Sequence, residues 1–199
     1  AIRMLRRAGI LGGVSVGDIR KSWDVLKTVE FIEAHVPAQE LVLDIGAYAS
    51  EVLCSLHRLK YTALHGVDLN PRISDMPDAD AIRYTVSDFL QTPYRNDMFS
   101  AITAISVVEH GLNTRRLFQE MSRILKPGGF FIASVDYWPE KIMTSDVKAF
   151  DMDWTIFSRE ELLSLISDAK KYGLMTFGEV RPEASERTVS WKGRTFTFA

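Results

Sequence analysis

Apolar residues recur along the chain in two alternating patterns, one helical and one extended. Between Asp18 and Val36 they stand at helical spacing with Lys and Glu between them, which predicts an amphipathic helix that stops before Pro37. The next run, residues 41–46, is short, continuously apolar and closed by a glycine, as expected of a strand buried on both faces. The chain therefore opens with a helix followed by a buried strand.

The alternation of helix and strand continues through the middle of the chain. Strands are predicted at 63–69, 82–86, 98–108 and 130–136, and helices at 49–59 and from an N-cap at Thr114 to a stop at Pro127, Gly128 and Gly129. Strands that alternate with helices indicate right-handed βαβ units and a parallel sheet covered on both faces. In such a sheet, ligands bind at the carboxyl ends of the strands.

The last third of the chain follows a different pattern. Residues 137–157 combine aromatic residues, a proline and mixed charges, which predicts a long loop that serves either as hydrophobic cover or as an acceptor-binding lid. Ser158 and Glu161 have the spacing of a capping box that opens another helix. Two apolar runs, 174–180 and 189–198, have no helix between them, so we expect a hairpin connection and a sheet that ends in an antiparallel strand.

Composition limits the class of protein. The 199 residues, 46% of them hydrophobic, suffice for one core, and we expect a flexible lead-in at 1–17 followed by a single domain at 18–199. The net charge of -2 favours neither nucleic acid nor an anionic membrane as partner, and no apolar run is long enough to span a bilayer. The one cysteine, Cys54, is interpreted as a buried core residue. A single cysteine cannot form an intramolecular disulfide, which suits a reducing, cytoplasmic location.

Five segments, in the same order as in a known family, resemble class I S-adenosylmethionine-dependent methyltransferases over residues 18–199. They are LVLDIGAYAS, HGVDLNP, VSDFL, FSAITAISVVEH and ILKPGGFFIAS. The resemblance implies an α/β, Rossmann-like fold with a mostly parallel seven-stranded sheet, helices on both faces and an antiparallel C-terminal strand. It also implies S-adenosylmethionine as the cofactor, no metal, and a small-molecule acceptor such as a sugar or a secondary metabolite.

The resemblance further assigns cofactor roles to residues that follow four of the strands. These are Asp44, Gly46, Ala47 and Tyr48 at the methionine end, Asp68 and Leu69 at the ribose, Asp88 and Phe89 at the adenine, and Ser106 and Val107 beneath the transferred methyl. Each acid also has a simpler interpretation. Asp44 could cap the loop that follows it, and Asp68 and Asp88 could be turn residues, which aspartate favours at strand ends.

Two positions carry open alternatives. His110, in the Glu-His pair after the fourth strand, is either a general base or a residue that shapes the site. Tyr48 stands where the family usually has a glycine, so its ring turns away from the cofactor, stacks on it or blocks it.

These alternatives lead to hypotheses from different classes. The first is a methyltransferase acting on a small molecule, and the second is a non-catalytic interaction or regulatory module that keeps the fold. The third is a nicotinamide oxidoreductase, against which the Glu-His pair, the KPGG junction and the terminal strand pair all argue. The oligomeric state is not indicated by any pattern in the sequence.

Overall fold

The computed structural model describes residues 16–199, so the first 15 residues of the predicted lead-in lie outside the described residues. The helices are α1 (Ser22–His35), α2 (Val52–Arg58), α3 (Thr114–Ile124) and α4 (Arg159–Lys170), with short 3-10 helices at Ile19–Lys21 and Pro71–Asp75. The strands are β1 (Val42–Ile45), β2 (Leu64–Asp68), β3 (Ile82–Val86), β4 (Phe99–Ile105), β5 (Leu125–Ser134), β6 (Asp136–Tyr137), β7 (Lys148–Ala149), β8 (Met152–Asp153), β9 (Val189–Trp191) and β10 (Arg194–Phe198).

Strands β1 to β5 form one sheet in the order β3-β2-β1-β4-β5. β1 pairs in parallel with β2 on one side and with β4 on the other, and β2 pairs in parallel with β3. All four residues of β1 are buried, as its continuous apolar run predicts. The α/β, Rossmann-like architecture expected from the sequence is confirmed, with five strands in this sheet.

The described residues group into two compact units. The first comprises residues 16–105 and 123–132, and its core is built from apolar side chains of α1, α2 and strands β1 to β4. The second comprises residues 106–122 and 133–199, and its core is largely aromatic, with side chains from β7, β9, β10 and the segment that follows β8. The prediction of a single domain over 18–199 stays a prediction.

The junction between α3 and β5 differs from the prediction at both ends of the helix. The cap is Asn113 rather than Thr114, since Asn113 Oδ1 accepts a hydrogen bond of 3.1 Å from the Arg116 N–H. The helix ends at Ile124, so Pro127 and the two glycines after it lie inside β5 instead of ending the helix. β5 is the last strand in the sheet order, and an edge strand tolerates proline, which has no N–H to donate.

The C-terminal strands form a second sheet instead of completing the first. β10 pairs antiparallel with both β6 and β9, which gives the order β6-β10-β9. The expected antiparallel C-terminal strand is therefore present, but the described residues do not form one seven-stranded sheet. The predicted strand at 174–180 is wrong. Met175 and Phe177 are exposed and Gly178 has a φ of 80°, so this segment has no buried face that pairing could cover.

Cys54 is a core residue of the first unit. It is 1% exposed, and burial raises the pKa of its thiol to about 11. A thiol that stays protonated at neutral pH is a poor nucleophile and a poor metal ligand. The structure thus confirms the interpretation of Cys54 as a packing residue.

Candidate functional site

The sheet reverses its connection order at β1. The chain passes from β1 outward to β2 and β3, and it returns on the opposite side of β1 as β4. In open α/β sheets, ligands bind outside the carboxyl ends of the strands at such a reversal. The candidate site is therefore the edge of the first unit where β1 and β2 end, together with the loops that follow them.

Asp44 is a buried carboxylate at this edge. It is 1% exposed, because β1 is covered on both faces. Its Oδ1 accepts a 2.6 Å hydrogen bond from the hydroxyl of Thr103, which the register of β1 and β4 places opposite it. Its Oδ2 has no hydrogen-bond partner among the described residues. Burial raises the pKa of Asp44 to about 6. The nearby Thr103 and Ser50 side chains act in the opposite direction and lower the pKa.

An unsatisfied carboxylate oxygen in a buried position is costly, on the order of 1 to 3 kcal/mol. Proteins keep such groups where something else satisfies them. A ligand with a cationic or N–H donor would satisfy Asp44 Oδ2. Gly46, two residues further on, has a φ of 68°, a left-handed conformation that glycine adopts without a steric cost. The residues at the end of β1 therefore fit a ligand that carries an amine.

The loop after Gly46 is a tight turn tied to β2. The Ala47 N–H donates to the Val67 carbonyl at 3.1 Å, and the Ser50 N–H donates to the Ala47 carbonyl at 3.1 Å. Ala49 has a φ of 64°, although it is not a glycine. The loop also meets the end of the predicted lead-in, where the Gly17 N–H donates to the Ala49 carbonyl at 3.2 Å.

Tyr48 takes part in the site through its backbone and packs its ring against protein. Its N–H donates to Asp68 Oδ2 at 3.1 Å. The half-buried ring packs against a small apolar cluster of Ala47, Ile73 and Met76. The ring is thus supported by the 3-10 helix that follows β2 rather than projecting freely into solvent.

Asp68 ends β2 and organises the two loops beside it. Its Oδ2 accepts from Tyr48, as described, and its Oδ1 accepts from the Asn70 N–H at 2.8 Å. A carboxylate has about four acceptor positions, so each oxygen keeps capacity for another donor. The next residue, Leu69, is 63% exposed and presents an apolar surface beside this carboxylate.

Asp88 and Phe89 follow β3, one strand further out. The Ser87 N–H donates to the Asp68 carbonyl at 3.0 Å, which joins the end of β3 to the end of β2. Asp88 is half-buried, and its Oδ1 accepts from the Leu90 N–H at 2.8 Å. Phe89 is 8% exposed, so its side chain is largely enclosed by the protein. The adenine roles assigned to this pair stay predictions.

The remaining predicted residues, Ser106, Val107 and His110, belong to the second unit. Ser106 has a φ of 52°, and its N–H donates to both the carbonyl and the hydroxyl of Ser134, at 3.0 and 3.2 Å. Val107 is buried. The His110 ring packs edge-on against Phe150, with 5.6 Å between ring centroids. The structure thus brings Asp44, Asp68 and Asp88 to one edge of the first unit and surrounds His110 with residues of the second.

The aromatic residues of segment 137–157 differ in exposure, and Trp138 and Phe157 are half-buried. Tyr137 and Trp154 are 2% and 3% exposed, and Trp154 Nε1 donates to Asp136 at 2.8 Å, so both are core residues of the second unit. Phe150 is 72% exposed. The interpretation as hydrophobic cover fits Tyr137 and Trp154, whereas Phe150 is the most exposed aromatic residue of this segment.

One contributor to the site, Thr103, was not singled out from the sequence. The available signal was a polar residue inside the apolar run at 98–108. Among residues 16–199, no group of three or more His, Cys, Asp or Glu side chains could hold a metal ion. No described helix is long and apolar enough to cross a membrane.

Comparison with known proteins identifies the segment that carries these residues. Residues 43–133 match the family model of a methyltransferase domain. The chain is 32% identical over 95 residues to a sterol 24-C-methyltransferase of Gibberella zeae, an alignment that covers 48% of this chain and 23% of that protein. It is 26% identical over 102 residues to the methyltransferase GfsG of Streptomyces halstedii, covering 47% and 37%. The chain thus spans only 23% to 37% of the length of these relatives.

Solved structures show the same fold. Geranyl diphosphate C-methyltransferase from Streptomyces coelicolor, in complex with S-adenosyl-L-homocysteine, superposes with a TM-score of 0.58 at 21% identity, covering 79% of this chain and 72% of that one. The YcgJ protein of Bacillus subtilis superposes with a TM-score of 0.60 at 21% identity, covering 74% and 67%. Residues 43–133 therefore resemble a methyltransferase domain, and the chain shares its fold with these solved structures.

Proposed function

We propose that this chain is a methyltransferase that binds S-adenosylmethionine and transfers its methyl group to a small molecule. The observation that carries the proposal is Asp44, a buried carboxylate with an oxygen that has no partner among the described residues, at the point where the sheet reverses its order. The methionine part of S-adenosylmethionine carries an ammonium group, which suits that oxygen. The family match over residues 43–133 supports the same cofactor.

The chain offers donors and acceptors for the rest of the cofactor. Asp68 has acceptor capacity left for the ribose hydroxyls, because its bonds to backbone N–H groups use only part of it. Leu69 supplies an exposed apolar contact next to it. Asp88 and the backbone of Phe89 are assigned to the adenine by family resemblance. When bound, S-adenosylmethionine supplies a methyl group on a sulfonium, which is transferred by in-line displacement.

The protein's main task in such a reaction is to hold the reactants in position, since in-line displacement depends on geometry. Ser106 and Val107 follow β4 and are assigned by resemblance to the position beneath the transferred methyl, and His110 is the candidate catalytic residue. His110 either removes a proton from the acceptor or shapes the site, and the pH range of an imidazole permits both. His110→Ala would separate these roles: loss of kcat with unchanged cofactor affinity marks a base.

The names of similar proteins concern sterol, cycloartenol and geranyl diphosphate acceptors. We take from them only that the acceptor is a small molecule, because the alignments cover a minor part of the curated relatives. A cytoplasmic location and the absence of a nucleic-acid partner also stay predictions.

Calorimetric titration with S-adenosylhomocysteine tests the proposal. We expect saturable binding by the native chain, and a loss of about 1.5 to 3 kcal/mol in Asp68→Ala, the scale of a hydrogen bond to a charged group. Asp80→Ala is the matched control, because Asp80 is an exposed acid of the same unit. Absence of binding by the native chain would refute the proposed cofactor. Equal affinity of Asp68→Ala and the native chain, with both folded by circular dichroism, would refute the assignment of the ribose.

A non-catalytic module is the second candidate, and one observation favours it. Both oxygens of Asp68 already accept hydrogen bonds from the protein's own loops. Part of the hydrogen-bonding capacity of this carboxylate is therefore used without a ligand. The fold by itself does not fix the reaction, since a structure at a TM-score of 0.57 and 19% identity is that of a [4+2]-cyclase, SpnF. Failure to bind both S-adenosylmethionine and S-adenosylhomocysteine would favour the module.

A further inference from the structure

A strained turn in the second unit presents Phe150 to solvent. The turn joins the antiparallel strands β7 and β8, and its two central residues, Phe150 and Asp151, have φ values of 54° and 63°. Two consecutive positive φ values are those of a type I′ hairpin turn, which favours Asn-Gly. A bulky residue in this conformation destabilises the folded state. Strain of this kind persists where surrounding structure enforces it, and it clusters at functional sites.

The exposed ring is not isolated. Phe150 is 72% exposed, yet it contacts the His110 ring at 5.6 Å and the Trp191 ring at 5.9 Å between centroids. Trp191 in turn packs edge-on at 5.0 Å against Trp154, which is buried. Phe150 is therefore the outer member of an aromatic group anchored in the core of its unit.

The hairpin is also fixed to the segment that carries His110. The Thr155 N–H donates to the Glu109 carbonyl at 2.9 Å. Gly111 lies so close to β8 that a Cβ there would come within 3.1 Å of Asp153 Cβ. Contacts on both sides of His110 thus hold the turn in place, which explains how Phe150 keeps a strained conformation next to that ring.

A single exposed Phe needs no explanation in a soluble protein. Here three features coincide: an unfavourable backbone conformation, a large exposed apolar ring, and contact with His110, the candidate catalytic residue. Packing alone would not retain Phe150, because the side chain is mostly in water. Asn would relieve the strain, so stability alone would favour a different residue at this position.

We propose that Phe150 is a specificity-determining residue that, together with His110 and Trp191, binds a neutral, planar or apolar face of the methyl acceptor. This rests on the proposed methyltransferase function. The aromatic surface favours flat apolar groups through area and ring geometry. A polyhydroxylated acceptor such as a free sugar would need more hydrogen-bonding side chains than the His110 ring that this group contains.

The test uses indole as a neutral planar probe and glucose as a polar comparison. Indole is titrated into the full chain while NMR follows the Trp191 indole N–H and the Met152 methyl. We expect saturable shifts with indole and none with glucose. Phe150→Ala should weaken indole binding at least fivefold, and Phe150→Tyr should restore it. Phe177→Ala is the control, because Phe177 is another exposed phenylalanine of the same unit and should leave binding unchanged.

Phe150→Asn separates a binding role from a structural one. Because Asn fits the left-handed turn, this variant should raise Tm by about 2 to 4 °C while it weakens indole binding. A lower Tm with unchanged indole affinity would make Phe150 a structural residue and overturn the proposal. So would a native chain that indole does not saturate, or equal losses in Phe150→Ala and Phe177→Ala. S-adenosylhomocysteine affinity, measured on the same variants, reports separately on the methyltransferase assignment.

Discussion

Asp44 is a buried carboxylate whose desolvation lowers the stability of the folded chain. Its carboxylate is enclosed by the sheet, its Oδ1 is satisfied by Thr103, and its Oδ2 has no partner in the described structure. In the folded chain its pKa is about 6, against an ordinary value of 3.8. Between these two pH values the folded state keeps the proton and the unfolded state releases it. The free energy of unfolding therefore falls as pH rises through this window.

Replacing Asp44 should remove this pH dependence. We expect Asp44→Asn to raise the free energy of unfolding at about pH 8 by on the order of 2 kcal/mol, and to give little gain near pH 4, where the native carboxyl is protonated. Urea denaturation at several pH values measures this. Asp80→Asn, at an exposed position, should show no such difference. A gain of the same size at every pH would mean that the charge of Asp44 is not its cause.

At the scale of single residues, the sequence indicates the buried carboxylate of Asp44 but not the residue that hydrogen-bonds to it. An acid inside an apolar run already indicated a buried carboxylate with a special role. Thr103 lies far along the chain, and only the register of β1 against β4 makes the two residues neighbours. Similarly, Tyr48 was recognised as a departure from glycine, but the apolar cluster that supports its ring depends on the 3-10 helix after β2. Both contacts join residues that are distant in sequence, so a local sequence pattern cannot predict them.

At the scale of elements, buried strands were the most predictable part of the fold. Strands β1 to β4 were found because continuous apolar runs between helices have few other structural solutions. Element boundaries that depend on strand pairing were less predictable. Pro127 reads as a helix stop, yet it lies in the edge strand β5, where its missing N–H has no cost. Segment 174–180 has the composition of a strand, but the side chains of Met175 and Phe177 are largely exposed there.

The capping box of α4 is a local signal that the structure confirms. The Ser158 hydroxyl accepts from the Glu161 N–H at 3.3 Å, and the Glu161 carboxylate accepts from the Ser158 N–H at 2.9 Å. We expect Ser158→Ala to lower the free energy of unfolding by about 1 kcal/mol, the usual cost of losing an N-cap. Ser164→Ala is the matched control. Ser164 is exposed within the same helix, where alanine is the better helix former, so thermal denaturation should show no loss.

At the scale of the whole molecule, the described chain divides its predicted roles between two compact units. Asp44, Asp68 and Asp88, the carboxylates assigned to the cofactor, belong to the first, and His110 and the aromatic group of Phe150 belong to the second. The family model also ends close to the end of β5, at residue 133. The family match therefore covers the region assigned to the cofactor, whereas the residues proposed to select the acceptor extend beyond it. This distribution explains why resemblance predicted the cofactor more readily than the acceptor.

Ligand-induced stabilisation of the whole chain tests the cofactor assignment and its location together. S-adenosylhomocysteine at a hundred times its Kd should raise the free energy of unfolding by about 2.7 kcal/mol, and Tm by about 5 to 10 °C. Hydrogen exchange then locates the site, because loop amides exchange by local opening and report contacts close to them. We expect slower exchange within residues 46–50 and at Leu69 and Asn70, and little change in the exposed segment 174–180. Asp68→Ala should reduce both effects at the same ligand concentration. A rise in Tm without slower exchange at 46–50 would show that the ligand binds elsewhere on the molecule.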